Sequence, residues 1–84
     1  MLRDSRFVYV LVSEVVPERH YVGLTCDVQQ RLEVHNSGGS HYTAEHRPWR
    51  LIVSLEFATE SSAVAFEKYL KTGSGRAFAK RHFV

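Results

Sequence analysis

The sequence predicts a small α/β domain of the α+β type, in which a mainly antiparallel three-stranded sheet is flanked by helices in the order β-β-α-β-α-α. Two apolar, β-branched runs lie close together and are separated by a turn that contains Pro17, as expected of paired strands. A third such run begins at Trp49, and capped helical segments follow the second and third runs. The chain of 84 residues fits one domain, 1–84.

The first two elements are strands. RFVYVLVS (Arg6–Ser13) is apolar and β-branched, which is typical of a buried strand. EVVPER (Glu14–Arg19) contains a proline and charges, so it is predicted to be a turn or loop. HYVGLT (His20–Thr25) is a second short strand, close enough in sequence to pair antiparallel with the first.

A helix is predicted after the second strand. Asp27 has the character of an N-cap, and Gln30 stands three residues later, where it would complete a capping box. The helix should run to about Asn36 and end at the Ser-Gly-Gly segment 37–39. Residues 40–48 have no periodicity and end in proline, so we expect an exposed loop there.

The second half of the chain predicts a strand and two helices. WRLIVSLEF (Trp49–Phe57) is the third strand, and Thr59 is a plausible cap for a helix from Glu60 to about Thr72. The Gly-Ser-Gly segment 73–75 is expected to break this helix. Residues 76–83 can form a short last helix.

Composition excludes several classes of protein. Hydrophobic residues make up 44% of the chain and charged residues 24%, which argues against disorder. A single cysteine, Cys26, provides neither a disulfide framework nor a cysteine zinc site, and it favours a reducing, cytoplasmic compartment. The N-terminal stretch has charges and no long apolar run, so we expect neither a signal peptide nor a membrane span.

The distribution of charge is more informative than the net charge of +2. From Glu67 to Val84 there is one acidic residue, and the basic residues there are Lys68, Lys71, Arg76, Lys80 and Arg81. A basic C-terminal face suits a nucleic-acid backbone. On charge alone, an ordinary solvated helical surface remains open as the alternative.

Two tyrosines and two helical residues are candidates for a site. Tyr9 and Tyr21 lie in strands that should pair, although tyrosine is also a common packing residue in sheets. Gly23, inside a strand, indicates a close backbone approach or a bulge. Arg31 and His35 are four residues apart on one helix face, where arginine can bind phosphate and histidine can move a proton. Taken alone, the helical pair favours solvated exposure.

Glu67 stands out on its helix. Helical spacing places it inside the apolar sector that Ala63, Phe66 and Leu70 define. A carboxylate there is costly unless it is paired or binds a metal. An ion pair with Lys71, one turn later, is the alternative to a functional carboxylate, and the pattern does not decide between them.

Together these residues resemble the GIY-YIG nuclease superfamily, especially short single-domain bacterial members similar to the nuclease domain of Slx-type structure-selective endonucleases. FVYVLV stands at the first motif, HYVGLT at the second, and DVQQRLEVHNSG at the helix that carries the family's arginine and His-Asn pair. RPWRLIVSLEF and AVAFEKYLKTGSGRAF match the third strand and the helix with the family's glutamate, so that the resemblance spans about Phe7 to Lys80. The first triplet lacks its leading glycine, and Leu24 stands where some relatives carry Lys or His.

The resemblance implies an endonuclease that hydrolyses DNA phosphodiester bonds with one divalent metal ion, Mg²⁺ or Mn²⁺, held by Glu67. The implied catalytic residues are Tyr9, Tyr21, Arg31 and His35, with Tyr9 favoured as the general base and Tyr21 as a positioning partner. Gly23 and Asn36 are expected to be structural.

The implied partner is DNA, branched or damaged, and a protein partner is left open. Because 84 residues leave no room for a separate recognition domain, we expect selection by DNA structure and not by sequence. A nucleic-acid-binding module that keeps the nuclease fold but has weak or partner-dependent activity remains the alternative.

Overall fold

The computed structural model describes residues 6–83 and confirms the predicted fold class and element order. Its elements are β1 (Arg6–Ser13), β2 (His20–Thr25), α1 (Val28–Asn36), a 3₁₀ helix (Ala44–His46), β3 (Trp49–Phe57), α2 (Glu60–Leu70) and α3 (Gly73–His82). No helix within residues 6–83 has the length and apolar character needed to span a membrane.

The three strands form one antiparallel sheet in the order β2-β1-β3. The register pairs Tyr9 with Gly23 and Leu11 with Tyr21. Because paired residues lie on the same face of a sheet, Tyr9, Leu11 and Tyr21 share one face. The pairing of β1 with β3 shifts between Val10 and Leu11, which is the site of a bulge or irregularity.

Each face of the sheet is covered by helices. Val8 and Val10 pack against Ala63 and Leu70, so α2 covers one face, and Phe78 of α3 joins the same cluster. On the other face, Tyr9, Leu11 and Trp49 are buried together and contact Val28 and Leu32 of α1. The central strand is therefore enclosed from both sides, and the Tyr9 side chain lies between the sheet and α1.

The start of α1 confirms the predicted N-cap but not the full capping box. The Asp27 carboxylate accepts a hydrogen bond from the Gln30 backbone N–H at 3.1 Å. The Asp27 backbone N–H, however, donates to Thr25 Oγ1 at 3.1 Å and leaves no role for the Gln30 side chain. The prediction of a reciprocal box was wrong because a nearer hydroxyl satisfies this donor.

The predicted break between the last two helices is confirmed, but it falls at residues 71–72, and the Gly-Ser-Gly segment forms the first turn of α3. Helix α2 ends at Leu70, and Thr72 caps the next helix by accepting from the Gly75 N–H at 3.1 Å. Gly75 is buried, and a Cβ there would collide with the backbone carbonyl of Tyr69. The glycine is required for the close approach of two successive helices.

The predicted exposed loop at residues 40–48 contains a buried residue and a helical turn. Thr43 is 0% exposed, and its carbonyl accepts from Trp49 Nε1 at 2.8 Å. The 3₁₀ helix Ala44–His46 follows directly. Exposure of the whole segment was therefore a wrong prediction, because Trp49 of β3 holds the middle of the loop against the domain.

Candidate active site

A buried chain of polar side chains connects β1, α1 and the loop before β3. The Tyr9 hydroxyl lies 2.9 Å from His35 Nε2, and His35 Nδ1 lies 2.8 Å from Thr43 Oγ1. Tyr9 is 1% exposed, and His35 and Thr43 are fully buried. The solvated alternative is therefore excluded for His35, which the helix directs into the domain.

Tyr21 completes an aromatic group around this chain. Its ring centroid lies 4.8 Å from that of His35 and 6.2 Å from that of Tyr9. Tyr21 is partly buried, and it also borders a surface cleft on the side of the sheet that α2 and α3 cover. The two tyrosines thus meet as their strand pairing indicated.

Gly23 makes room for the Tyr9 ring. It is buried opposite Tyr9 in the sheet, and a Cβ at this position would collide with the phenolic carbon and oxygen of Tyr9. The register of β1 with β2 is continuous here, so the glycine reflects close approach and not a bulge.

Arg31 lies beside Tyr9 and has one unused donor. Its guanidinium acts as a hydrogen-bond donor that lowers the pKa of Tyr9, and the Arg31 side chain is partly buried. Its Nε is buried and has no hydrogen-bond partner among residues 6–83. A buried N–H without an acceptor costs about 1–3 kcal/mol, so this donor is placed where a ligand oxygen would stabilise it.

Burial and charge keep Tyr9 and His35 in their neutral forms at neutral pH. Burial raises the pKa of Tyr9, and the charges of Tyr21 and Glu67 add to that rise, while Arg31 opposes it. Burial also lowers the pKa of His35, and the Arg31 charge lowers it further. The pair is therefore a phenol beside an imidazole that can accept a proton.

Asn36 fixes the end of α1 to the start of β3. Its Oδ1 accepts from the Trp49 backbone N–H at 2.6 Å, and its Nδ2 donates to the Trp49 carbonyl at 3.0 Å. Since His35 precedes Asn36, this double hydrogen bond also fixes the last turn of the helix that carries His35.

Glu67 approaches the same group from α2. It lies near enough for its charge to raise the pKa of Tyr9. Its Oε2 accepts from Lys71 Nζ at 2.6 Å, and the Glu67 side chain is 18% exposed. The predicted ion pair is thus present, and the Glu67 charge also acts on the pKa of Tyr9.

A cleft with a volume of about 910 Å³ lies on the side of the sheet that α2 and α3 cover, and basic residues are part of its lining. Lys71, Arg76 and Lys80 line it from the side of α2 and α3. Of the other two predicted cations, Lys68 lines a separate surface hollow with Glu60, and Arg81 is exposed on α3 outside the cleft lining.

Sequence reasoning missed three residues. Arg19 and His20 line the basic cleft, and Thr43 contacts His35 in the buried site. The signal for Arg19 and His20 was their position directly before Tyr21, since residues at the start of a strand lie near its first side chains. For Thr43 no local pattern existed.

The fold and the site define a small α+β domain with an arginine, two tyrosines and a histidine grouped on the α1 side of the sheet, and with a carboxylate on α2. The chain belongs to the GIY-YIG catalytic domain family, whose model matches residues 5–81. It therefore carries a GIY-YIG nuclease domain.

Similar proteins include UPF0213 proteins and a nuclease subunit. The chain is 39% identical over 64 residues to a UPF0213 protein of Streptococcus pneumoniae serotype 4, a match that covers 75% of this chain and 65% of that protein. It is 37% identical over 82 residues to a UPF0213 protein of Cupriavidus necator, covering 93% and 88%. It is 43% identical over 67 residues to the structure-specific endonuclease subunit SLX1 of Scheffersomyces stipitis, covering 71% of this chain but 20% of that protein.

A solved structure has the same fold. The solution NMR structure of a UPF0213 protein from Bacillus halodurans superimposes with a TM-score of 0.55 at 31% identity, covering 92% of this chain and 81% of that one.

Proposed function

We propose that this chain is a metal-dependent endonuclease that hydrolyses DNA phosphodiester bonds and selects DNA by structure. The observation that carries the proposal is the Arg31 Nε–H group, which is buried beside Tyr9 and has no acceptor among residues 6–83. A phosphodiester offers paired oxygen acceptors that match a guanidinium fork. Arg31 would therefore bind the scissile phosphate and stabilise the charge that develops in the transition state.

Tyr9 is the proposed general base. Its phenol is neutral, so it can take a proton from water only while it gives its own proton to a neighbour. The His35 ring lies 2.9 Å from its oxygen and is neutral, because burial and Arg31 lower the pKa of His35. The water proton would pass to the Tyr9 oxygen and the phenolic proton to His35. The water oxygen would bond to phosphorus, and the leaving sugar oxygen would take the electron pair of the broken P–O bond. Tyr21, whose ring lies beside those of Tyr9 and His35, would position the water or the phosphate.

Glu67 is the carboxylate that would hold the metal ion. It already binds a cationic group, the Lys71 ammonium, and its side chain is partly accessible. Residues 6–83 contain no cluster of three or more His, Cys, Asp and Glu side chains suited to a metal. A single carboxylate is a sufficient protein ligand for an ion that keeps several waters, such as Mg²⁺ or Mn²⁺. When bound, such an ion would supply charge stabilisation to the phosphate and the leaving oxygen.

The basic cleft is the proposed path of the DNA backbone. Its lining includes Arg19, His20, Lys71, Arg76 and Lys80, on the side of the sheet that α2 and α3 cover. A DNA strand that follows this cleft would reach Arg31 around the edge strand β2. Cations on a cleft bind phosphates regardless of base sequence. The relative in Scheffersomyces stipitis is named a structure-specific endonuclease subunit, which supports selection of DNA by shape and leaves a protein partner as a second requirement to test.

The salt dependence of binding distinguishes the cleft from the rest of the basic surface. Replacing Arg76 and Lys80 together with Ala should weaken binding to different DNA sequences about equally. It should also flatten the slope of log affinity against log salt by up to about 0.9 for each phosphate that is no longer neutralised. Lys68→Ala with Arg81→Ala is the matched control, since it removes the same charge outside the cleft lining. Fluorescence anisotropy across a salt series measures the DNA affinity and its salt dependence for each double variant. Equal slopes for the two double variants would mean that the cleft residues contact no more phosphates than the rest of the solvated surface does.

Cleavage by the purified protein tests the proposed function. We expect it to nick branched DNA faster than a linear duplex of the same sequence, in Mg²⁺ or Mn²⁺ and not in EDTA. DNA binding without cleavage in either metal would instead favour the nucleic-acid-binding module, and addition of candidate partner proteins would then be the next assay. Equal rates on branched and linear DNA would contradict structure selection.

A further inference from the structure

Thr43 is buried next to the proposed base and is held from several directions. Its backbone N–H donates to the Ser40 carbonyl at 3.3 Å, and its own carbonyl accepts from Trp49 Nε1 at 2.8 Å. Its hydroxyl donates to the same Ser40 carbonyl at 3.4 Å and lies 2.8 Å from His35 Nδ1. A hydroxyl whose proton is directed to a carbonyl has lone pairs left to accept from an imidazole N–H.

The hydrogen bonds of Tyr9, at the other end of this series, require the same direction of donation. Arg31 has only donors, so Tyr9 accepts from it, and the buried Tyr9 O–H must find an acceptor elsewhere. His35 Nε2, at 2.9 Å, is that acceptor only if the ring carries its proton on Nδ1. With the opposite tautomer, the Tyr9 oxygen would face two N–H donors and its own proton would lack this partner.

We infer that Thr43 is a positioning residue that holds His35 in the Nδ1–H tautomer and so makes Nε2 the acceptor of the Tyr9 proton. All donors then run one way, from Arg31 through Tyr9, His35 and Thr43 to the Ser40 carbonyl. The role in proton transfer rests on the proposed nuclease activity, whereas the tautomer is a property of the protein without substrate. An orienting partner of this kind acts on the reaction only through the histidine.

The tautomer of His35 can be measured directly by ¹⁵N NMR of the ring nitrogens. In the native protein we expect a protonated Nδ1 and an unprotonated Nε2, and a protonated Nε2 would overturn the inference without any variant. Thr43→Val keeps the shape but removes the acceptor, so the Nε2–H form should become populated. Thr43→Ser should restore the Nδ1–H form.

Cleavage rates separate this role from ordinary stability. Thr43→Val should lower single-turnover cleavage by about 10–100-fold, the usual scale for losing an orienting partner, with unchanged DNA affinity. Thr43→Ser should recover most of the lost cleavage rate.

Thr25→Val is the control, because the Thr25 hydroxyl hydrogen-bonds Asp27 in the turn before α1, so its loss should leave the His35 tautomer unchanged. A Val variant that keeps the Nδ1–H form, or a Ser variant as impaired as Val, would contradict the role of Thr43. If the native protein cleaves no DNA, the proposed function fails while the tautomer measurement still decides this inference.

Discussion

Glu67→Gln should lower single-turnover cleavage in Mg²⁺ by at least about 10³-fold while DNA binding is largely retained. Gln preserves the shape of the side chain but removes the charge that would hold the metal ion. Metal stabilisation of a transferring phosphate is worth several kcal/mol, and each step of about 1.4 kcal/mol changes a rate tenfold. Single-turnover kinetics with saturating enzyme, together with anisotropy for binding, measure the two quantities separately.

Glu60→Gln is the matched control for this change. Glu60 is a second acid on α2, its side chain is 63% exposed, and it pairs with Arg6 at 3.8 Å on the protein surface. Its replacement removes the same charge from the same helix and should leave cleavage near the native rate. If Glu67→Gln cleaves as fast as Glu60→Gln in Mg²⁺, Glu67 does not belong to the metal site.

Arg31→Ala should slow the chemical step by roughly 10²–10³-fold, the usual effect of removing one preorganised charge-stabilising donor. The loss has two physical origins. The phosphate loses its buried donor, and Tyr9 loses the cation that opposes the rise of its pKa. Single-turnover cleavage at saturating DNA isolates this step from weaker binding.

Arg31→Lys and Arg50→Ala complete the experiment. Lysine keeps the charge but cannot reproduce the planar fork, so we expect it to recover little activity. Arg50 is exposed on β3, and its replacement by Ala should be nearly silent. Near-native activity of the Lys variant would mean that Arg31 contributes only a point charge.

Local chemistry explains why most of the fold could be predicted. The caps at Asp27 and Thr59 each accept from a backbone N–H three residues later, and such signals are visible in sequence. Antiparallel pairing of two neighbouring strands was enough to bring Tyr9 and Tyr21 together. The break between α2 and α3 was predicted, but not that the glycines at 73–75 belong to α3, where Gly75 allows the close approach of the Tyr69 backbone.

The parts of the site that could not be predicted depend on contacts distant in sequence. His35 lies on a helix whose other residues are mostly exposed or partly buried, so nothing in its pattern indicated complete burial. Thr43 lies in a segment without periodicity, and it is held in the interior by hydrogen bonds with Trp49 and His35, which are distant from it in the secondary structure. The ion pair of Glu67 with Lys71 was visible from helical spacing, whereas the influence of the Glu67 charge on the pKa of Tyr9 depends on the packing of α2 on the sheet.

Binding of phosphate by Arg31 can be measured without catalysis. The Glu67→Gln variant should bind DNA without cutting it, so the Arg31 Nε–H resonance can be followed by ¹H–¹⁵N NMR as DNA is added, with Arg31→Lys used for assignment. Because this N–H has no acceptor among residues 6–83, we expect its proton to shift downfield and to exchange more slowly with solvent as a phosphate oxygen accepts it. An Arg31 Nε–H signal that does not change while DNA saturates the variant would contradict the assignment of this cluster as the phosphate site.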